Sequence, residues 1–140
     1  ELARLGCGVV TGGGPGLMQA ANEGAKLGDP DGAGKSVGIR VELPFEQDVN
    51  AFVTQAFEHK TFFTRLHHFV LVSDAFIVTP GGVGTVLETL MVWQLLQVRH
   101  LRDTPLILAG AHFWDGLLDW TRATMLRPDM PLVNPEDLTI

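Results

Sequence analysis

Cysteine is nearly absent from this chain: Cys7 is the only one, so no disulfide can form within it. Cys7 falls in the short apolar run Gly6-Cys7-Gly8-Val9-Val10 and reads as a small residue buried in a strand. No apolar run is long enough to span a bilayer, and the first residues lack the basic, apolar, small-residue order of a signal peptide. These absences lead to the expectation of a cytoplasmic protein without a membrane partner. Charge is also scarce, at 19% of residues, and acidic groups outnumber basic ones to give a net charge of −6. A surface that follows a nucleic acid polymer needs a basic stripe to displace counterions, so that class of partner is not expected. An anionic ligand would have to be held locally, and Arg40, Lys60 and Arg65 are the cations nearest in sequence to the glycine turns described next. Arg99 and Arg102 read as solvated residues at a helix end.

What the chain does have is apolar content, 46% over 140 residues, enough for one compact domain spanning 1–140 with a substantial core. The pattern predicts a helix tail at 1–5, then strand 7–11, helix 15–27, strand 36–41, a strand at 53–57 and helix 61–72. Strand 74–79, helix 84–98, strand 105–109 and helix 112–126 follow. Continuous apolar strands such as Phe76-Ile77-Val78 and Leu106-Ile107-Leu108, alternating with helices, predict an α/β protein with a parallel sheet covered on both faces, a three-layer αβα arrangement. A helix tail at residue 1 and a strand starting at Asp137-Leu138-Thr139-Ile140 give the expectation of a fold trimmed at both ends.

Two glycine-rich turns stand where strands give way to helices. Gly12-Gly13-Gly14-Pro15-Gly16 follows the first strand, and Pro80-Gly81-Gly82-Val83-Gly84-Thr85 follows Asp74 to Thr79. Glycine lets backbone amides approach an anion, and the helix behind it supplies unpaired N–H groups at the positive end of its dipole. In open parallel sheets ligands lie beyond the carboxyl ends of the strands, where both turns fall. Neither turn matches the dinucleotide fingerprint or carries the Lys-Ser/Thr of a P-loop, which sets NAD binding and ATP hydrolysis aside. A phosphate bound at Gly13, Gly14 and Gly81 through Thr85 is the expectation.

Glu88 has two readings. Thr85-x-x-Glu88 has the form of a capping box, in which each side chain satisfies a backbone amide at a helix start. Alternatively, a fixed carboxylate there could stabilise positive charge developing on a sugar. Arg65, in the apolar helix Thr61 to Val72, needs a partner: an acid such as Asp74 or Glu88, or a substrate phosphate or ribose held in bidentate fashion. His67 and His68 are adjacent and cannot clamp one metal from a helix, and His59, His100 and His112 read as isolated surface or capping residues, so no metal site is expected. Trp93, Trp114 and Trp120 are expected in the core or a dimer interface, the alternative for one of them being the border of a base pocket.

Pro80-Gly81-Gly82-Val83-Gly84-Thr85-Val86-Leu87-Glu88, taken with Arg65 and Ser73-Asp74-Ala75-Phe76, resembles the LOG (Lonely Guy) family of nucleoside 5′-monophosphate phosphoribohydrolases, whose members often carry the label lysine decarboxylase. The resemblance extends to Gly12 through Met18 with Ala21-Asn22, to Gly38-Ile39, to Leu43-Pro44-Phe45-Glu46-Gln47 and to Phe113-Trp114. It implies a Rossmann-like, doubly wound parallel sheet that dimerises, a phosphate site at Gly82-Val83-Gly84-Thr85, and Arg65 and Glu88 as the residues that cleave the N-glycosidic bond, with no cofactor. The chain departs from the family at Leu66, where a lysine usually follows the arginine.

The function expected on these grounds is hydrolysis of a purine or cytokinin-type nucleoside 5′-monophosphate to free base and ribose 5-phosphate. Such cleavage usually engages a second carboxylate, for which Glu46 is the candidate. The alternative is a binding module of the same fold, a nucleotide sensor or molybdenum-cofactor carrier, which has no evident need for both Arg65 and Glu88. A decarboxylase would require pyridoxal phosphate on Lys26, Lys35 or Lys60, none of which lies in a recognisable cofactor motif.

Overall fold

The computed structural model describes residues 1–29, 31–32, 35–42, 48–134 and 136. The chain divides into two compact units, Glu1–Ser73 and Asp74–Ile140.

The first unit opens with a short 3-10 helix, Leu2–Leu5, and then contains strand β1 (Val9–Thr11), helix α1 (Leu17–Gly28), strands β2 (Ser36–Val41) and β3 (Gln55–His59), and helix α2 (Phe62–Val72). The strands pair in parallel in the order β1-β2-β3, with Val9 opposite Ser36 and Val41 opposite His59. Val37, Ile39 and Val41 of the central strand are buried along with Ser36 before them and Gly38 among them, so burial here does not alternate. That is the mark of a strand covered on both faces. The third strand begins at Gln55, not at residue 53, because Val53 still belongs to a turn closed by its amide on Asn50 O.

Cys7 departs from expectation. Gly6 adopts a left-handed conformation with φ 84° that ends the 3-10 helix, and the Cys7 amide caps it by donating to Leu2 O at 3.1 Å. Cys7 therefore lies in the connection before β1, and it is exposed.

The polar centre of this unit is Asn22 on α1, which is fully buried. Its Nδ2 donates to Ser36 Oγ at 2.9 Å, and its Oδ1 accepts from Thr11 Oγ1 at 2.7 Å and from Asn50 Nδ2 at 3.0 Å. One amide thus joins α1, the end of β1, the start of β2 and the segment ahead of β3. Buried polar groups cost stability unless paired, so every partner depends on the others being present.

The second unit contains β4 (Phe76–Val78), α3 (Val83–Gln97), β5 (Leu106–Leu108) and α4 (Ala111–Met125). β4 and β5 pair in parallel with Ile77 opposite Ile107. Trp114, Leu118 and Val133 form its buried centre, against which Val78, Val86, Trp93 and Leu108 pack. Trp114 Nε1 donates to Ala109 O at 3.2 Å, which settles the one polar atom of that ring in the core. Trp120, by contrast, is exposed. The strand expected at Asp137 to Ile140 lies outside the described residues, and among the described residues no helix is long and apolar enough to cross a membrane.

Replacing Asn22 by Ala should destabilise the protein by about 2–4 kcal/mol, because Thr11, Ser36 and Asn50 all lose a buried partner at once. Urea unfolding measures this directly. A loss under about 0.5 kcal/mol would mean that the network contributes little to the fold.

Candidate functional site

The first glycine turn is shaped by backbone packing against β2. Gly13 has φ +76°, and a Cβ added to it would lie 3.3 Å from Gly38 Cα. Only two glycines permit the loop to sit this closely on the central strand. Gly12 is constrained from the other side: a Cβ there would stand 2.7 Å from Arg65 Nη2 and 2.8 Å from Met18 Sδ. The guanidinium of Arg65 therefore rests over the turn.

Arg65 projects from α2, whose start is capped by Thr61: its Oγ1 accepts the Thr64 amide at 3.3 Å. Arg65 Nε donates to Ile39 O of β2 at 2.8 Å, and the guanidinium carbon lies 4.9 Å from the centre of the Phe69 ring. The aromatic face and the carbonyl fix a cation at the carboxyl ends of β1 and β2, beside Gly12. The structure thus brings together two features that the sequence holds about fifty residues apart.

Asn50 was not anticipated. Its backbone amide donates to Gly13 O at 2.8 Å, and its Nδ2 lies 3.1 Å from both Gly13 O and Gly14 O. The only sequence signal was an asparagine between apolar residues, Val49 and Ala51, a position that a solvated loop residue would share.

In the second unit, α3 begins at Val83, with Gly82 at the N-cap and no side-chain cap. This rules out the capping box. Thr85 is already inside the helix, where its carbonyl accepts from Thr89 Oγ1 at 2.7 Å, and Glu88, half-buried, falls in the second turn and not the first. Helix-dipole stabilisation fades beyond the first turn, so it is not the reason for a carboxylate at this position. The Thr85 side chain folds back over Gly81, and a Cβ on Gly81 would collide with Thr85 Oγ1. Pro80 in turn rests on Gly110, whose missing Cβ would come within 3.1 Å of the proline ring.

Gly82 and Gly84 differ from Gly81, since a Cβ on either would meet nothing within 4 Å. Gly84 is moreover helical, where glycine costs stability relative to alanine. Among the described residues no contact accounts for these two glycines.

The histidines are not all isolated. His59 Nε2 and His68 Nδ1 share a hydrogen bond of 2.9 Å, and the His68 ring meets Phe57 edge-on at 4.7 Å. Burial, then the neighbouring His59 and His67, push the His68 pKa below its ordinary value. Among the described residues no three metal-ligating side chains converge. Glu46, the candidate second carboxylate, and the Leu43 to Gln47 segment around it lie outside the described residues.

Parallel strands, with α1 between β1 and β2 and α3 between β4 and β5, and glycine turns at the carboxyl ends of β1 and β4, define a Rossmann-like α/β protein. Residues 18–138 match the family described as possible lysine decarboxylase, and the chain belongs to this family, the LOG family. No curated protein matches the chain. The activity in that description calls for a lysine able to hold pyridoxal phosphate, and the described lysines do not fit the group. Lys26 and Lys35 border a cavity of about 100 Å³ beside Ser36, at the opposite end of β2 from the glycine turn, and Lys60 is exposed between β3 and α2. Pockets for drug-sized ligands start at roughly 300 Å³.

The two kinds of glycine in the second turn should separate on substitution. Gly81→Ala should destabilise the fold by about 1–3 kcal/mol through the clash with Thr85. Gly84→Ala should leave it unchanged or up to about 1 kcal/mol more stable, yet weaken the binding of AMP. Melting curves and calorimetric titration check both halves. A Gly84→Ala protein with parental AMP affinity would show that this glycine is not kept for a ligand.

Proposed function

We propose that the protein hydrolyses the N-glycosidic bond of a purine or cytokinin-type nucleoside 5′-monophosphate, releasing the free base and ribose 5-phosphate. The observation that carries this reading is the turn from Gly81 to Thr85, where two glycines without a packing role open an uncapped helix with Glu88 on its second turn. Membership of the LOG family and the phosphate chemistry of such turns support it.

The chemistry assigns each residue a task. In the second unit Gly82, Val83, Gly84 and Thr85 offer backbone amides to a phosphate, and in the first unit Gly14 offers one of its own. Gly13 contributes by shape, because its own amide already donates to Thr11 Oγ1 at 2.9 Å. Arg65 pairs with an anionic or hydroxyl-rich part of the substrate, its guanidinium held flat by Phe69 and Ile39 O. As the bond to the base lengthens, the ribose gains oxocarbenium character, and the Glu88 carboxylate interacts with that charge more strongly than with the neutral ground state. Water then completes the sugar, and the base leaves with a proton. Leu66 replaces a cation beside Arg65, which leaves the arginine as the positive charge at that point of α2.

A homodimer belongs to the same proposal. Helix α2 leaves Phe62, Phe63, Leu71 and Val72 exposed, apolar surface of the kind a second copy covers. Light scattering at micromolar concentration should read twice the chain mass, and a monomer would refute the pairing.

Chromatographic detection of free base tests the activity. AMP should be cleaved and adenosine hardly at all, since phosphate contacts position the sugar. Glu88→Gln should melt like the parent but lose on the order of 100-fold or more in rate. Equal rates on AMP and adenosine, or a Glu88→Gln variant as fast as the parent, would defeat the assignment. Tight nucleotide binding without any cleavage would favour a sensor of the same fold.

A further inference from the structure

We infer that Asn50 is a positioning residue for the substrate phosphate: it locks the Gly13–Gly14 peptide in the orientation that presents the Gly14 N–H to the anion. This rests on the nucleotide reading above, and extends it to a residue that touches neither the base nor the bond that breaks.

The geometry leaves this peptide little freedom. Gly13 O accepts both the Asn50 amide at 2.8 Å and Asn50 Nδ2 at 3.1 Å, so the carbonyl is aimed squarely at Asn50. In a trans peptide the N–H points opposite to the carbonyl, and the structure contains no cis peptide bonds among the described residues. The Gly14 N–H therefore faces away from Asn50, and among the described residues it has no acceptor. The neighbouring groups are all engaged. Gly13 N–H donates to Thr11 Oγ1, Gly14 O lies 3.1 Å from Asn50 Nδ2, and the next residue, Pro15, has no N–H. Within the Gly13–Pro15 stretch the Gly14 N–H is the donor left to face a ligand, next to the glycine over which Arg65 Nη2 rests.

Asn50 is itself held from behind. Its Oδ1 accepts the Phe52 amide at 3.1 Å, which fixes the amide flip so that Nδ2 faces the turn, and Nδ2 also reaches the buried Asn22 Oδ1 at 3.0 Å. An aspartate at position 50 would keep the bond from Phe52 but place a second acceptor against the oxygens of Gly13, Gly14 and Asn22. Repulsion would then turn the peptide and misdirect the Gly14 N–H.

The test compares the parent with Asn50→Asp and the milder Asn50→Ser, each checked for folding by its melting curve. Calorimetric titration with ribose 5-phosphate and with adenine separates the phosphate end of the site from the base end. Both variants should bind ribose 5-phosphate about tenfold or more weakly, the scale of one hydrogen bond to a charged group, with adenine affinity unchanged. In AMP cleavage the loss should fall on KM, with kcat within about threefold of the parent. Unchanged affinity for ribose 5-phosphate in a folded variant overturns the proposal, as does equal loss of both ligands, which is what a purely structural asparagine would give. A parent that binds ribose 5-phosphate but leaves AMP intact removes the hydrolase reading while the clamp is still judged by binding. A parent that binds neither ligand removes both.

Discussion

The buried carboxamide of Asn22 is the constraint on which the first unit depends. A side chain with two donors and one acceptor oxygen, sealed from water, is stable only if each is matched, and the matches come from Thr11, Ser36 and Asn50 on three separate segments. The glycine turn between Thr11 and α1 inherits its shape from this arrangement, since Thr11 holds the Gly13 amide and Asn50 holds the Gly13 and Gly14 carbonyls. A loop of small residues would otherwise sample many conformations. The buried network holds it in one shape without adding bulk to it.

The second unit reaches a similar end by other means. Its turn is fixed by steric contact: Thr85 against Gly81, and Pro80 against Gly110. Behind it stands the apolar centre around Trp114, which anchors α4 to the carbonyl of Ala109 immediately after β5. Polar matching in one half and close packing in the other each hold the backbone at the carboxyl end of a parallel strand.

Much of this was legible in the sequence, for identifiable reasons. Strands β4 and β5 are short continuous apolar runs, β2 carries apolar residues at every second position, and α1 to α4 start within two residues of the positions that periodicity predicts. The glycine turns were visible as clusters of glycine between apolar strand and helix patterns, and in the first of them Gly13 and Gly16 do adopt the positive φ that favours glycine. What escaped was set by contacts between residues distant in sequence. The exposure of Cys7 follows from the left-handed Gly6 before it, a conformation that composition does not reveal. The Thr85-x-x-Glu88 pattern had the form of a cap, but the helix starts upstream of it, so the pattern lost its meaning. Asn50 and the pairing of His59 with His68 join β3 and its approach to elements whose alignment depends on the register of the sheet.

The placement of Cys7 also makes the chain easy to instrument. A lone thiol, open to solvent and ahead of β1, gives this chain a single attachment point for a fluorophore or spin label. It is separated from the first glycine turn by the length of β1 and sits on the same polypeptide segment, so a probe there would share the frame of that turn without occupying it. In an assembly of identical copies, each would carry one reporter, and the distance between reporters would describe how the copies are arranged.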